Sequence, residues 1–439
     1  MTVNELLGLV CLGSLLTGIF AGFPIAFTLL SLTVLFGYLG LGARVFDIMV
    51  FQAWGLMREE TLAAVPLFVL MGYMLEQAGM VERLFRGFQY VLARMSGSLY
   101  LGVLLTATLF ATATGLVSAS VTLLGIMAGP VMRKSKYDPV LCSGVITAGG
   151  TLGILIPPSV MLVVLGPVVG VSIAKLFAAA IFPGLLLSGL FVVYSLIRAF
   201  MNPALGPPLP PEDRPASFGA AVRELVVGMV PLLVLILATL GSILAGLATP
   251  TEGAGLGAFG ALVLTIAYGR FSLLRLRQAV YRTVITTSMI MFLLTASNMY
   301  GAIFNRLGTG PFIAKSLVQL DLPPLAMLLA LMAVIFLLGW PLEWAPIIFI
   351  FLPIFLPVVE ATKMDLLWFS ALVAVNLQTA FLSPPVAQAA YFLRAVVPEW
   401  SLGQIYLGML QFMVLQVIGL LLILFFPEIA LWLPRVLFG

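Results

Sequence analysis

Apolar runs long enough to cross a ~30 Å hydrocarbon core recur from one end of the 439-residue chain to the other, divided by short polar or charged turns. The longest polar interruption is Met201–Glu224, so no soluble domain is left over. This pattern predicts an all-α polytopic membrane protein.

The same pattern is written twice. Lys136-Tyr-Asp138 and Lys363-Met-Asp365 stand 227 positions apart. At that spacing, without a gap, Pro130 meets Pro357, Ser143 meets Ser370, and Pro157-Pro158 meets Pro384-Pro385. Upstream, Gly72 and Gly79 match Gly301 and Gly308 at a spacing of 229, and Pro24 matches Pro250 at 226. Two proline pairs in register inside apolar segments argue for duplication, with repeats over residues 1–200 and 225–439. Residues 201–224, rich in proline and polar, read as an extended cytoplasmic linker.

Charge at the segment ends sets orientation. The apolar stretch over residues 96–133 has Arg83, Arg86 and Arg94 before it and Arg133, Lys134 and Lys136 after it. Both ends are therefore expected on the cytoplasmic side, which makes the stretch a re-entrant hairpin with its tip at Ala113-Thr-Gly-Leu-Val-Ser-Ala-Ser120. Its counterpart over 320–360 lacks basic flanks and is expected to enter from the periplasmic face. The halves then form two inverted-topology repeats, each with about five crossings and one hairpin, and both termini are periplasmic.

Composition removes several alternatives. Of all residues 62% are hydrophobic and 9% charged, with a mean hydropathy of +1.19. A soluble domain is roughly a quarter charged. The net charge of +4 comes from loop cations that orient the chain, and gives no sign of nucleic-acid binding. Without histidine, Ser–His and Cys–His nucleophile pairs and His-ligated metals are excluded. There is no phosphate-binding G-x-x-x-x-G-K-[ST] loop. Cys11 and Cys142, both in apolar segments, read as small buried hydrophobes. The chain is expected not to be an enzyme and to need no organic cofactor.

The proline pairs carry the chemistry. Proline has no N–H, so Pro157 and Pro158 free the carbonyls of Gly153 and Ile154, and Pro384 and Pro385 free those of Ala380 and Phe381. Helices broken near the midplane of inverted repeats are a common design of secondary transporters. These breaks fall in segments 138–168 and 365–396. Gly149, Gly150 and Thr151 precede one; Asn376, Gln378, Thr379 and Ser383 flank the other. Carbonyl and hydroxyl oxygens suit a bare monovalent cation, while half-helix N-termini and tip amides suit a carboxylate. Candidate substrate contacts are Ser120, Gly149, Gly150, Thr151, Asn376 and Glu343. Glu343, in the second tip, reads equally as a ligand or gate and as a water-exposed residue. Sodium is favoured over protons, because a proton relay would need His, Asp or Glu at membrane depth. Glu76 is expected to pair with Arg83 or a headgroup, and Thr249-Pro-Thr-Glu252 to start a helix.

On these residues the chain resembles the large membrane subunit of tripartite ATP-independent periplasmic (TRAP) transporters over nearly its whole length. The resemblance rests on Ala64-Val-Pro-Leu-Phe68 with Gly72, Gly149-Gly-Thr-Leu-Gly-Ile-Leu-Ile-Pro-Pro-Ser159, Ala248-Thr-Pro-Thr-Glu252, and Asn376-Leu-Gln378 with Ser383-Pro-Pro385. It implies a sodium-driven elevator-type carrier, with scaffold and transport domains, in a bacterial inner membrane. The implied partners are a small four-helix membrane subunit and a periplasmic substrate-binding protein, and the implied cargo is a small carboxylate. It places sodium at Thr114, Gly115, Ser118, Gly153, Ile156 and Pro158 on one side, and at Gly339, Gln378, Thr379 and Ser383 on the other. Leu116 stands where many members have a hydroxyl, and Ala387 where many have glycine. A stand-alone sodium–dicarboxylate or citrate symporter is the alternative reading.

Overall fold

The computed structural model describes residues 2–215 and 217–439; the side chains of residues 111, 113 and 114 lie outside that description. Among the described residues the chain is helical, with no strand. The first half comprises α1 (Val3–Phe20), α2 (Ile25–Leu41), α3 (Arg44–Met57), and a bent pair, α4 (Ala64–Gln77) and α5 (Met80–Val91). A hairpin follows, α6 (Ser98–Thr114) and α7 (Val117–Lys134), then a broken helix, α8 (Pro139–Thr151) and α9 (Val160–Val169), and the long α10 (Ile173–Met201).

The second half repeats the order. α11 (Phe218–Ile236) runs through a π turn into α12 (Ser242–Leu244), and is followed by α13 (Pro250–Ala267) and the pair α14 (Leu273–Arg306) and α15 (Thr309–Val318). The second hairpin is α16 (Pro324–Leu338), then α17 (Trp344–Pro346) joined by a π turn to α18 (Leu352–Ala361). The second broken helix is α19 (Leu366–Leu377) and α20 (Gln388–Val396), and α21 (Leu402–Phe425) and α22 (Glu428–Phe438) complete the chain. Among the described residues, seven helices are each long and apolar enough to cross a membrane, or eight if the bent pair that turns by 59° counts as one span.

The duplication extends to backbone detail. Lys136 and Lys363 both sit at φ +56 in the left-handed region. Each closes its hairpin with the same bond, made by the next residue to a carbonyl five residues back: Tyr137 N–H to Met132 C=O at 2.9 Å, and Met364 N–H to Val359 C=O at 3.2 Å. Asp138 and Asp365 then cap the broken helices, accepting from Leu141 N–H and Trp368 N–H at 2.8 Å each. Such a cap is worth about 1 kcal/mol. Gly79 and Gly308, both at positive φ, start the second member of each bent pair. Thr249 and Glu252 form a reciprocal capping box at the start of α13.

Two packing groups result. In one, α13 lies along α4, α11 along α5, and α14 against α2, α3 and α4. In the other, α21 lies along α8, α10 along α19, and the hairpins close over the broken helices. The α8–α21 crossing is backbone on backbone: a Cβ on Gly408 would stand 2.1 Å from the Val140 carbonyl oxygen, and one on Gly144 2.7 Å from the Gly408 carbonyl. Only glycine allows that approach, which in lipid replaces the hydrophobic drive between helices with close van der Waals contact.

The segment between the halves is more tightly held than a free linker. Its Leu205 carbonyl accepts from Asp138 N–H and the Tyr100 hydroxyl, and its Gly206 carbonyl accepts from Gly97 N–H at 2.8 Å. Leu209 is buried, and Asp213 pairs with Lys134 at 2.7 Å. α11 already begins at Phe218. The carbonyls of this proline-rich stretch satisfy donors at the base of the first hairpin, so it straps that hairpin instead of hanging free.

Candidate functional site

Each hairpin tip stands against the break of its own half. α8 ends at Thr151, a 3₁₀ turn covers Leu152–Ile154, and Pro157-Pro158 fill the gap before α9. Gly115 turns the first tip at φ +62, which an L side chain rarely adopts. A Cβ there would meet Val160 N at 3.3 Å and the Pro158 carbonyl oxygen at 3.5 Å. α19 likewise ends at Leu377, a 3₁₀ turn covers Gln378–Phe381, and Pro384-Pro385 precede α20. At the second tip, a Cβ on Gly339 would meet Ala380 Cβ at 3.2 Å. The structure therefore brings Gly115 to Pro158, and Gly339 to the turn that carries Gln378 and Thr379.

The freed carbonyls are partly claimed by local hydroxyls. Ser159 donates to the Ile154 carbonyl, one of the four expected to be open. In the second break Ser383 donates to the Thr379 carbonyl at 2.7 Å, and Thr379 to Asn376 at 2.7 Å. Thr151 donates to Ala148 at 2.8 Å. Ile156 is buried with its side chain against Gly184, and Gly153 is buried in the 3₁₀ turn. Gly149 packs against Ala107 and Gly150 against Val121, so both lie under the arms of the first hairpin. Ser120 is buried beside the tip, and Ser118 lines a cavity. The side chain of Thr114 lies outside the described residues.

Between the two breaks runs a buried amide chain that the residue pattern did not single out. Gln416, fully buried on α21, donates to Thr151 Oγ1 at 3.2 Å and to Gln378 Oε1 at 3.3 Å. Thr151 and Gln378 are the same position in the two repeats, so one amide ties both broken helices. Asn376 donates to the Met332 carbonyl at 2.7 Å. Asn376 Oδ1, Gln378 Nε2 and Gln416 Oε1 are buried with no hydrogen-bond partner among the described residues. A polar group left so costs about 1–3 kcal/mol. The signal for Gln416 was an amide deep in a largely apolar 24-residue helix, the last of its three glutamines.

The two tips differ in what surrounds them. Glu343 is half-buried and accepts from Gln388, the first residue of α20, over a crevice of about 10 Å³. Of its two readings, the structure favours a tip carboxylate held at the break over one standing in water. The first hairpin instead borders a cavity of about 380 Å³, with Ser118 and Thr122 facing Tyr73, Glu76, Arg282 and Thr286. Glu76 pairs there with Arg282 at 2.9 Å, not with Arg83. Arg83 stacks over the Tyr268 ring at 4.8 Å instead, because α14 brings Arg282 alongside the last turn of α4.

Fold and site together define a polytopic carrier: paired hairpins, paired broken helices and polar groups gathered at the breaks. Residues 12–429 match the family described as the tripartite ATP-independent periplasmic transporter, DctM component, and the chain belongs to it. It is thus a membrane permease subunit and not an enzyme, multi-pass in the inner membrane. The sialic acid TRAP transporter large permease protein SiaM of Vibrio cholerae is 29% identical over 96% of this chain and 97% of its own. The C4-dicarboxylate TRAP transporter large permease protein DctM of Pseudomonas aeruginosa is 29% identical over 85% and 86%. The solved structure of the YdaH transporter of Alcanivorax borkumensis shares the fold, with a TM-score of 0.66 over 99% of each chain at 17% identity.

Proposed function

We propose that this chain is the permease of a sodium-driven importer of a small carboxylate, served by a periplasmic binding protein and a small membrane subunit. The observation that carries the reading is the pair of tip-to-break contacts, Gly115 on Pro158–Val160 and Gly339 on Ala380, one in each repeat. Neutral oxygens gather at both, the type of donor that a weakly held monovalent ion needs. Unpartnered amide oxygens on Asn376 and Gln416 lie on the second side. Among the described residues no cluster of three His, Cys, Asp or Glu competes with that arrangement. The relatives' names concern sialic acid and C4-dicarboxylates, and both are carboxylic acids.

The two packing groups support an elevator reading, in which the hairpins and broken helices move against the wall built by α4, α13 and α14. The charge pattern supports a cytoplasmic side for the base of the first hairpin and the cavity beside it, and a periplasmic side for both termini. The test is uptake of radiolabelled N-acetylneuraminate and succinate into proteoliposomes holding the permease and its small subunit. Sodium and proton gradients are compared, with and without the binding protein. Uptake that needs both sodium and the binding protein supports the reading. Sodium-driven uptake that ignores the binding protein would indicate a stand-alone symporter, and proton-driven uptake would move the chemistry to Glu343.

A further inference from the structure

We propose that Arg282 is a carboxylate-binding group in the wall facing the first hairpin, and that Glu76 occupies it as an internal stand-in when no substrate is present. The inference rests on the carboxylate-importer reading and adds a residue that neither the repeat pattern nor the breaks assign.

The geometry is that of a guarded anion site. Arg282 on α14 gives one N–H, through Nη1, to Glu76 Oε1 at 2.9 Å. A guanidinium has five N–H donors in a planar fork, so a single-point contact leaves donors for a second carboxylate. The guanidinium also lies 6.0 Å from the Tyr73 ring centre, and the Tyr73 and Thr286 hydroxyls bond each other at 2.9 Å beside it. These groups form one wall of the 380 Å³ cavity, and Ser118 and Thr122 of α7 form the other. A small acid therefore fits with its carboxylate on Arg282 and its hydroxyls toward the hairpin.

A second cavity of about 510 Å³ adjoins the first, since both are lined by Glu76 and Leu123. Its rim carries Arg83, Arg86, Arg270 and Arg275 against Glu82 and Glu224. The excess of positive charge draws anions along the crevice. Exchange of Glu76 for a substrate carboxylate keeps the guanidinium paired throughout, so no charge is left uncompensated during the handover.

The test uses the full permease with Cys11→Ala and Cys142→Ala, and Thr122→Cys as a reporter in the cavity. The probes are a sulfonate-bearing and an ammonium-bearing methanethiosulfonate of equal size, and the readout is the ratio of their labelling rates. The ratio is expected to favour the anion in the parent, to rise several-fold with Glu76→Gln, which frees Arg282, and to return to about the parent's value with Glu76→Gln/Arg282→Gln. The double variant removes both charges together, so it avoids stranding one. Glu76→Gln/Arg282→Lys should keep part of the rise. Equal ratios in Glu76→Gln and the double variant, or no rise with Glu76→Gln, would overturn the proposal. Because labelling reads the cavity's charge preference without transport, such a result stays distinct from a failed uptake assay.

Discussion

The two hairpins follow one pattern, yet among the described residues they differ in what stands beside them. At the second tip, Glu343 is held by Gln388 across a crevice of about 10 Å³, at the lower limit of space for a single water. At the first, α7 faces about 380 Å³ of open cavity. Equivalent breaks are closed differently too, by Ser159 on the Ile154 carbonyl in one half and by Ser383 on Thr379 in the other. Duplication thus supplies the frame, and a few unmatched polar residues decide which side of it is open.

The largest effect is expected at the tips. Gly115→Ala puts a side chain at φ +62 and against Val160 N, a cost of about 1–2 kcal/mol for the conformation alone. Gly339→Ala, at φ −65, needs no unusual backbone and meets the Ala380 methyl and the Phe336 carbonyl oxygen at 3.2 Å each. Sodium-driven uptake in proteoliposomes should fall about tenfold or more for the first and clearly less for the second. Equal losses would erase the contrast between the tips.

Breaking the latch comes next. Glu343→Gln weakens a charge-assisted hydrogen bond worth about 1.5–3 kcal/mol. Val386 lines the same crevice, and thiol labelling of Val386→Cys, in a background without Cys11 and Cys142, should accelerate by about tenfold or more. No change would show that the second tip is closed by packing alone.

Gln416→Leu cuts the amide tie common to both breaks and removes one unpartnered buried oxygen. It also takes the donor from the buried Gln378 Oε1, at about 1–3 kcal/mol, so the melting temperature should fall while the fold holds. The sodium concentration for half-maximal uptake should nevertheless rise several-fold; an unchanged value would make Gln416 a packing residue only. The smallest effect belongs to Ala387, held at φ +33 where the family pattern has glycine. Ala387→Gly should raise stability by about 1 kcal/mol, read as a higher melting temperature in detergent.

What the residues disclosed follows their chemistry. Proline alters the backbone itself, so both breaks were legible; Lys136, Asp138 and their counterparts 227 positions on marked the repeat, but not the turns and caps they form. The Glu76–Arg282 pair was not, because its partners lie 206 residues apart and a charge near a helix end looks the same whether it meets a headgroup or another helix. The strap formed by the central segment was hidden for a different reason: it uses backbone carbonyls, which leave no mark on residue identity. Leu116, which stands where many members of the family have a hydroxyl, is partly buried against the core beside the first tip.

The central claim is that each tip-to-break contact holds one ion. It is tested most directly by the reversal potential of substrate flux in proteoliposomes under opposed sodium and substrate gradients. The account predicts at least two sodium ions moved per carboxylate, one for each half; a coupling ratio of one would contradict it.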